Sequence, residues 1–393
     1  MRPPEVRELK ARRRVRIFVL MCLSNNVPLL QAQVALPRPE GPYHVGFWET
    51  SVAPHGLDAQ RTQEEGDLLV QFWYPSNDVT GARHKAYVDP VVAAELSRAL
   101  KLPAGFAERV QVNAFLSPRA ASGKFPLVLL LHGVSWPGIL YQTIAESIAS
   151  RGFVVAAVTF RHAAFIHYPD GRTLDNSAWP TFPSDTEFEK FLVSQVEVWK
   201  QGALRVIDVC TSWTTEIPTN PVAAHLATDL IAVVGHSFGG TVSAALLGDP
   251  HVATAVAMEG NARMPAGGKR EISKPMLHLI GGYNRLEFEG SQYAPTAGGV
   301  LYEVIINGTG HAYFSDLIYM YKHFADEAWL ARHRYEVEPV RVLQITCDYL
   351  AAFLGKTFIG RQDPLLQPVS YGSYVDGPRK GLYPEVDLRI TLP

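Results

Sequence analysis

The stretch Thr228-Asp229-Leu230-Ile231-Ala232-Val233-Val234-Gly235-His236-Ser237-Phe238-Gly239-Gly240 constrains this chain more than any other. It reads as a buried strand, a tight turn and the start of a helix. Ile231 to Val234 is short, apolar and rich in β-branched residues, as expected of a central parallel strand covered on both faces. The turn that follows spells G-x-S-x-G. A serine on a sharp strand-to-helix turn has its hydroxyl lifted clear of the backbone. Glycine is required two residues before and after it, because a Cβ there would collide with the facing strand and helix. The helix that begins after Ser237 turns free N–H groups toward whatever the hydroxyl attacks. A glycine-rich turn with a bystander serine is the competing reading. The preceding strand, the small-residue helical run Thr241 to Leu247 and a matching histidine downstream all favour the nucleophile.

Composition sets outer bounds. The chain has 393 residues, 47% of them hydrophobic, enough for one large core. A net charge of -2 leaves no electrostatic footprint for nucleic acid. The cysteines, Cys22, Cys210 and Cys347, have neither zinc spacing nor the pattern of a disulfide framework. Cys210 and Cys347 are expected to be buried free thiols, with a bridge between them left open. No cofactor and no metal is called for. Residues 1–16 are arginine-rich; the apolar run Ile17 to Leu23 follows, then Ser24-Asn25-Asn26 and the mixed stretch Val27 to Ala35. That order predicts a secretory signal ending near Ala32 or Ala35, hence a secreted protein; a disordered basic tail on a cytoplasmic protein is the alternative. No later run reaches the ~18 apolar residues of a membrane span.

Residues 36–393 read as a single domain. Tyr43 to Val52 and Asp67 to Tyr74 form an antiparallel opening hairpin, and Val91 to Leu100 a short helix. Phe125 to Leu131, Phe153 to Phe160, Ala253 to Met258, Pro275 to Ile280 and Val300 to Ile306 are further buried strands, separated by helical segments such as Ile139 to Arg151 and Asp185 to Trp213. Strands alternating with helices give an α/β fold: a mostly parallel sheet with helices on both faces. Arg161 to Pro183 is long, irregular and aromatic. It reads as a lid-like insertion walling a pocket. The tail from Gly355 reads as loop.

Serine needs a base within hydrogen-bond reach. His311 follows the last predicted strand on a Gly-rich loop and comes last in chain order, as the base does in hydrolases of this strand–helix type. The acid is expected after the strand before the histidine strand, but that turn, Gly282-Tyr283-Asn284-Arg285-Leu286-Glu287, has no Asp. One strand earlier, Glu259 stands at the strand's C-terminal end, where catalytic groups gather in parallel sheets. Glu259 is therefore the predicted acid, with Glu287 in reserve. The oxyanion donors are expected to be the backbone amides of Val134, in the turn after Phe125 to Leu131, and of Phe238. His132 is read as a structural turn residue. Asn307-Gly308-Thr309 matches a glycosylation acceptor, expected to be unused because it adjoins the base.

These stretches together resemble the isoform II, lipoprotein-associated platelet-activating factor acetylhydrolases. The matching residues are Gly41-Pro42-Tyr43-His44-Val45-Gly46, Phe72-Trp73-Tyr74-Pro75-Ser76, Leu130-Leu131-His132-Gly133, Ala149 to Val158, Gly235 to Gly240, and His311 with Phe314-Ser315-Asp316. They fall in order across most of residues 41–355. The resemblance implies an α/β-hydrolase fold and calcium-independent hydrolysis of short or oxidised sn-2 acyl chains from phospholipids. It also implies an acid after the earlier strand, an Asp in that family and Glu259 here, with Gly260-Asn261 in place of the family's aromatic. The expected function is thus a serine carboxylic ester hydrolase with a small-molecule or lipid ester substrate, transient contact with a lipid surface, and no nucleic-acid partner. A cutinase-like, polyester or secondary-metabolite carboxylesterase is the alternative enzyme. A catalytically silent binding protein of the same fold is the non-enzyme alternative.

Overall fold

Six apolar segments become parallel neighbours at the centre of one sheet. In chain order the strands are β1 (Val34–Ala35), β2 (His44–Val52), β3 (Leu68–Ser76), β4 (His84–Ala86), β5 (Val110–Leu116), β6 (Phe125–Leu131), β7 (Val154–Thr159), β8 (Leu226–His236), β9 (Val252–Met258), β10 (Met276–Gly281), β11 (Leu301–Ile306) and β12 (Val386–Thr391). The computed structural model describes residues 33–53, 67–161, 163–175, 180–262, 269–288, 292–327, 335–367, 379–380 and 382–393. Across the sheet the order is β1-β5-β2-β3-β7-β6-β8-β9-β10-β11-β12, with Arg379–Lys380 beyond β12 and β4 paired to β5. From β7 to β11 every pairing is parallel. β2 and β3 form the expected antiparallel hairpin, and β3 runs antiparallel to β7. The architecture is that of the α/β-hydrolases.

The strands are apolar at successive positions because both faces are covered. Alternate residues point to opposite faces. Val128, Leu130, Ala232 and Val234 share a core with Ile144, Ile148 and Leu350, which come from helices α2 (Gln142–Ser150) and α6 (Pro339–Ile359). Leu127, Leu129, Leu131 and Val233 share the opposite core with Trp199, Val206 and Val242, from α3 (Asp185–Ser212) and α4 (Phe238–Leu246). Two short helices complete the set, α1 (Pro90–Leu100) and α5 (Asp316–Phe324). Caps fix the ends. The Ser184 hydroxyl accepts from Glu187 N at the start of α3, and Gly360, in the left-handed region at φ 67, stops α6. By length and composition α6 could cross a membrane; its face against the sheet makes it a core helix.

Three expectations change. The tail is not all loop: α6 runs to Ile359, and β12 adds antiparallel to β11. Val386, Leu388 and Ile390 alternate with charged or polar residues, the period-two pattern of an edge strand, too short to stand out between its flanks. Val34 and Ala35, placed at the end of the leader by the sequence reading, pair in parallel with Val110 and Gln111; the signal segment itself, through Ala32, lies outside the described residues. The described part of the aromatic insertion forms a small hairpin, Ile166–His167 against Thr173–Leu174. Cys210 and Cys347 are free and buried.

Burial has a pH consequence. It pushes the imidazole of His132 down to about 4 and that of His278 to about 3, and depresses His236 well below its ordinary range, the nearby His311 adding to the effect. The unfolded chain protonates these rings near pH 6.5 and the folded chain does not, so stability falls as pH drops below about 6.5. Asp316 opposes this. Burial raises its carboxyl to about 7, so its contribution is lost as pH rises from about 3.8 through 7. Burial raises the carboxyl of Glu146 as well, and three rings outweigh two carboxyls. The urea midpoint is expected to be clearly lower at pH 5 than at pH 7, by the equivalent of a few kcal/mol; an equal or higher midpoint at pH 5 would show that the rings are not held neutral.

Candidate active site

The ends of β8 and β9 build the site. Parallel pairing aligns Gly235 with Leu131 and His236 with Met258. Beyond that register the chain turns sharply at Ser237, which adopts φ 55, ψ -123. A non-glycine residue held there costs ~1–3 kcal/mol and persists only where its surroundings enforce it. Here Ser237 N donates to Met258 O at 2.8 Å, and the Ser237 carbonyl accepts from Gly240 N at 3.0 Å and Thr241 N at 3.2 Å. The flanking glycines answer to space. A Cβ on Gly235 would lie 2.1 Å from Gly239 O, and one on Gly239 2.3 Å from Leu131 O.

Glu259 stands one strand over, also in the left-handed region, at φ 54. Its side chain is fully buried. Oε1 accepts a short hydrogen bond from Gly281 N. Oε2 accepts from Asn284 Nδ2 at 2.5 Å and from His311 Nδ1 at 3.1 Å. An ionised carboxylate only accepts, so the His311 proton sits on Nδ1 and Nε2 carries the free lone pair. His311 opens a short turn, His311–Phe314, after β11, and its side chain is 42% exposed. Ser237, Glu259 and His311 line one cavity of about 260 Å³ together with Thr241, Asn261, Asn284, Glu287 and Phe288. Glu287 reaches this cavity only from its exposed wall, on the short helix Arg285–Phe288. The hydrogen bond to His311 belongs to Glu259.

A glutamate is a methylene longer than aspartate, and the neighbouring strand makes room for it. A Cβ on Gly281 would lie 2.8 Å from Glu259 Oε1. Gly281 has ordinary φ, -74, so the glycine is required for space and not for conformation. Gly260 is similarly confined: a Cβ there would lie 2.6 Å from the Gly240 backbone.

Val134 lies in the turn after β6 and Phe238 is the first residue of α4, where N–H groups have no intrahelical partner. Among the described residues the Val134 amide makes no hydrogen bond. Gly133 places this turn against Ser237, since a Cβ on it would lie 3.1 Å from Ser237 Cβ. His132 is buried: Nδ1 donates to Gly133 O at 2.6 Å and Nε2 accepts from Phe160 N at 2.9 Å, so both nitrogens are used within the fold. Thr309 is buried with its hydroxyl on Ile306 O at 2.6 Å. Among the described residues no cluster of His, Cys, Asp and Glu is placed to hold a metal ion.

Sequence reasoning missed a second histidine. His236 is buried and contacts three parts of the site. Nε2 donates to His311 O at 2.9 Å, because a carbonyl can only accept. Nδ1 must then accept from the Tyr141 hydroxyl at 2.8 Å, and that hydroxyl accepts from Gly133 N at 3.1 Å. The chain of bonds joins the turn carrying Val134 to the loop carrying His311. Trp136 stacks on the His236 ring at 5.2 Å and 17°. Because burial depresses the pKa of His236, it stays neutral beside His311, with ring centroids 4.6 Å apart. The available signal was strand alternation, which turns His236 inward after Val234. Asn284 was also overlooked, since its turn was searched for an acid and not for a donor.

The fold is that of the α/β-hydrolases. A solved ferulic acid esterase from Streptomyces cinnamoneus superposes with a TM-score of 0.70 at 23% identity, over 91% of this chain and 99% of that one. The sequence model of the family described as platelet-activating factor acetylhydrolase, isoform II, matches residues 29–177. The platelet-activating factor acetylhydrolase of Canis lupus familiaris is 28% identical over 253 residues, 58% of this chain and 55% of the relative. That of Cavia porcellus is 25% identical over 246 residues, 57% and 55% respectively. The chain spans about half the length of the curated relatives it matches. Both sequence comparisons bear out the resemblance to the platelet-activating factor acetylhydrolase family of α/β-hydrolases. The match to the family model ends ahead of Ser237, so the site rests on its own geometry.

Gly281→Ala tests the fit of Glu259. The added methyl displaces Oε1 and loosens the hold on His311, so labelling of Ser237 by an organophosphate should slow by roughly 10²-fold, in line with ~1 Å misplacements elsewhere. Unchanged labelling would show that the carboxylate position does not matter.

Proposed function

We propose that this chain is a serine ester hydrolase that cleaves short sn-2 acyl esters of phospholipids through an acyl-enzyme. One observation carries the reading: a buried carboxylate orients His311 in the same cavity that holds a serine in a strained strand-to-helix turn. Ser237 Oγ attacks the ester carbonyl as His311 Nε2 takes its proton. The Val134 and Phe238 amides face the developing oxyanion, a contribution of ~3–4 kcal/mol per donor in comparable sites. The C–O bond then breaks, and the leaving alcohol departs with the proton held by His311. A water, deprotonated by the same nitrogen, attacks the acyl-serine and releases the acid. Glu259 keeps the imidazole in the required tautomer and stabilises its cation, without itself taking the proton.

The acyl and lipid assignments have separate supports. The cavity beside Ser237 is small and mostly polar-lined, which suits a short acyl group over a long chain. The glycerophospholipid assignment rests on the platelet-activating factor acetylhydrolase relatives.

Ser237→Ala should abolish both 4-nitrophenyl acetate turnover and fluorophosphonate labelling, and retained turnover would remove Ser237 from the mechanism. Glu259→Gln should lower kcat by roughly 10²–10⁴-fold, as misorienting the base does in comparable triads, while Glu287→Gln should stay within a few-fold of the parent. On phospholipids, sn-2 acetyl should be cleaved far faster than sn-2 palmitoyl; equal rates would remove the short-acyl assignment.

A further inference from the structure

The aromatic hairpin found in the insertion is not part of the cavity around Ser237. It helps to enclose a second cavity of about 320 Å³. This lies at the same end of the sheet. Gln71 on its floor pairs with Glu49 across β2 and β3, and Leu69 pairs with Thr159, the last residue of β7. β7 is two places from β8 in the sheet. At ordinary strand spacing that puts Thr159 roughly 10 Å along the rim from the nucleophile's strand.

The cavity is built like a ligand site: apolar walls with a few placed polar groups. Phe47, Val92, Ile139 and Phe165 are among the walls. Gln71 is only 7% exposed. Its Nε2 donates to Glu49 Oε2 at 2.9 Å, which fixes the amide's orientation and leaves Oε1 as the open acceptor. That oxygen is buried with no hydrogen-bond partner among the described residues. Lys85 does not supply one, because its ammonium donates to Ala86 O, Tyr87 O and Gln142 Oε1 and has no proton left. The cavity therefore asks for a donor at the end of an apolar group.

Trp136 lies beside His311, its ring facing the imidazole at 6.0 Å, and is next in sequence to Pro137, a wall of the second cavity. In the proposed mechanism His311 returns its proton to the leaving alcohol, so that alcohol starts out beside Trp136. We propose that the second cavity binds the alcohol side of the substrate: an apolar or aromatic arm, reaching across Trp136 and Pro137, whose terminal hydroxyl donates to Gln71 Oε1. The assignment rests on the serine-esterase part of the proposed function alone, and the alcohol it names differs from the lysophospholipid that the relatives suggest.

Acetate esters of straight-chain alkanols test it, since the acyl group and the alkoxide stay constant while the arm varies. Butyl acetate is the reference without an arm; the probes carry a terminal 4-hydroxyphenyl or 4-methoxyphenyl group on spacers of increasing length. kcat/KM should climb with spacer length and peak where the arm spans roughly 10 Å, at least tenfold above butyl acetate. Val92→Trp, which fills the cavity, should erase that gain and leave butyl acetate unchanged. Gln71→Leu should remove only the advantage of hydroxyl over methoxy, roughly 2–10-fold for one hydrogen bond. A flat series on an active enzyme, an equal loss on all esters in Val92→Trp, or a gain confined to esters extended on the acyl side would overturn the assignment. A parent protein that turns over neither butyl nor 4-nitrophenyl acetate would overturn the esterase reading and this one with it.

Discussion

A carboxylate taken fully out of water must be surrounded by donors, and Glu259 has three: the Gly281 amide, the Asn284 side chain and His311 Nδ1. The rest of the site is arranged around that requirement. The amide comes from the end of β10, the carboxamide from the turn beyond it, and the imidazole from the loop after β11. Three consecutive strands therefore have to end at one level, which parallel pairing in register provides. Ser237 belongs to the same set through its amide bond to Met258, the residue before Glu259. Two residues with positive φ, Ser237 and Glu259, stand at the ends of adjacent strands and are held there by the sheet.

A second layer braces the first. His236 and Tyr141 connect the loop of His311 to the turn after β6, so the imidazole and the turn that carries Val134 are fixed relative to one another through the protein interior. Burial keeps that connector neutral, while the side chain of His311 opens to the cavity. Two imidazoles in contact thus have different duties because one is in water and the other is not.

Much of this was legible in the chain. The elbow glycines, the strand before Ser237 and the loop of His311 follow from steric and periodic rules that act over a few residues. Glu259 was readable because it ends a strand. What stayed hidden depends on distant partners. Nothing local to Gly281 shows that it clears space for a glutamate on the neighbouring strand. His236 looked like a variable position in a motif until Tyr141 and His311 were brought to it. Val386–Thr391 was passed over because its alternation is short and its partner lies 80 or more residues earlier. The insertion is aromatic by its sequence, but which cavity it encloses is set by its packing over β2 and β3, and that no local pattern encodes.

The central claim is that Glu259 holds the Nδ1 proton of His311, and proton NMR in water reads that proton directly. An imidazole N–H donated to a buried carboxylate resonates far downfield of all other amide and ring protons. One such signal is expected, lost in Glu259→Gln and in His311→Gln and retained in Glu287→Gln. A signal that survives Glu259→Gln, or one that vanishes only with Glu287, would contradict it.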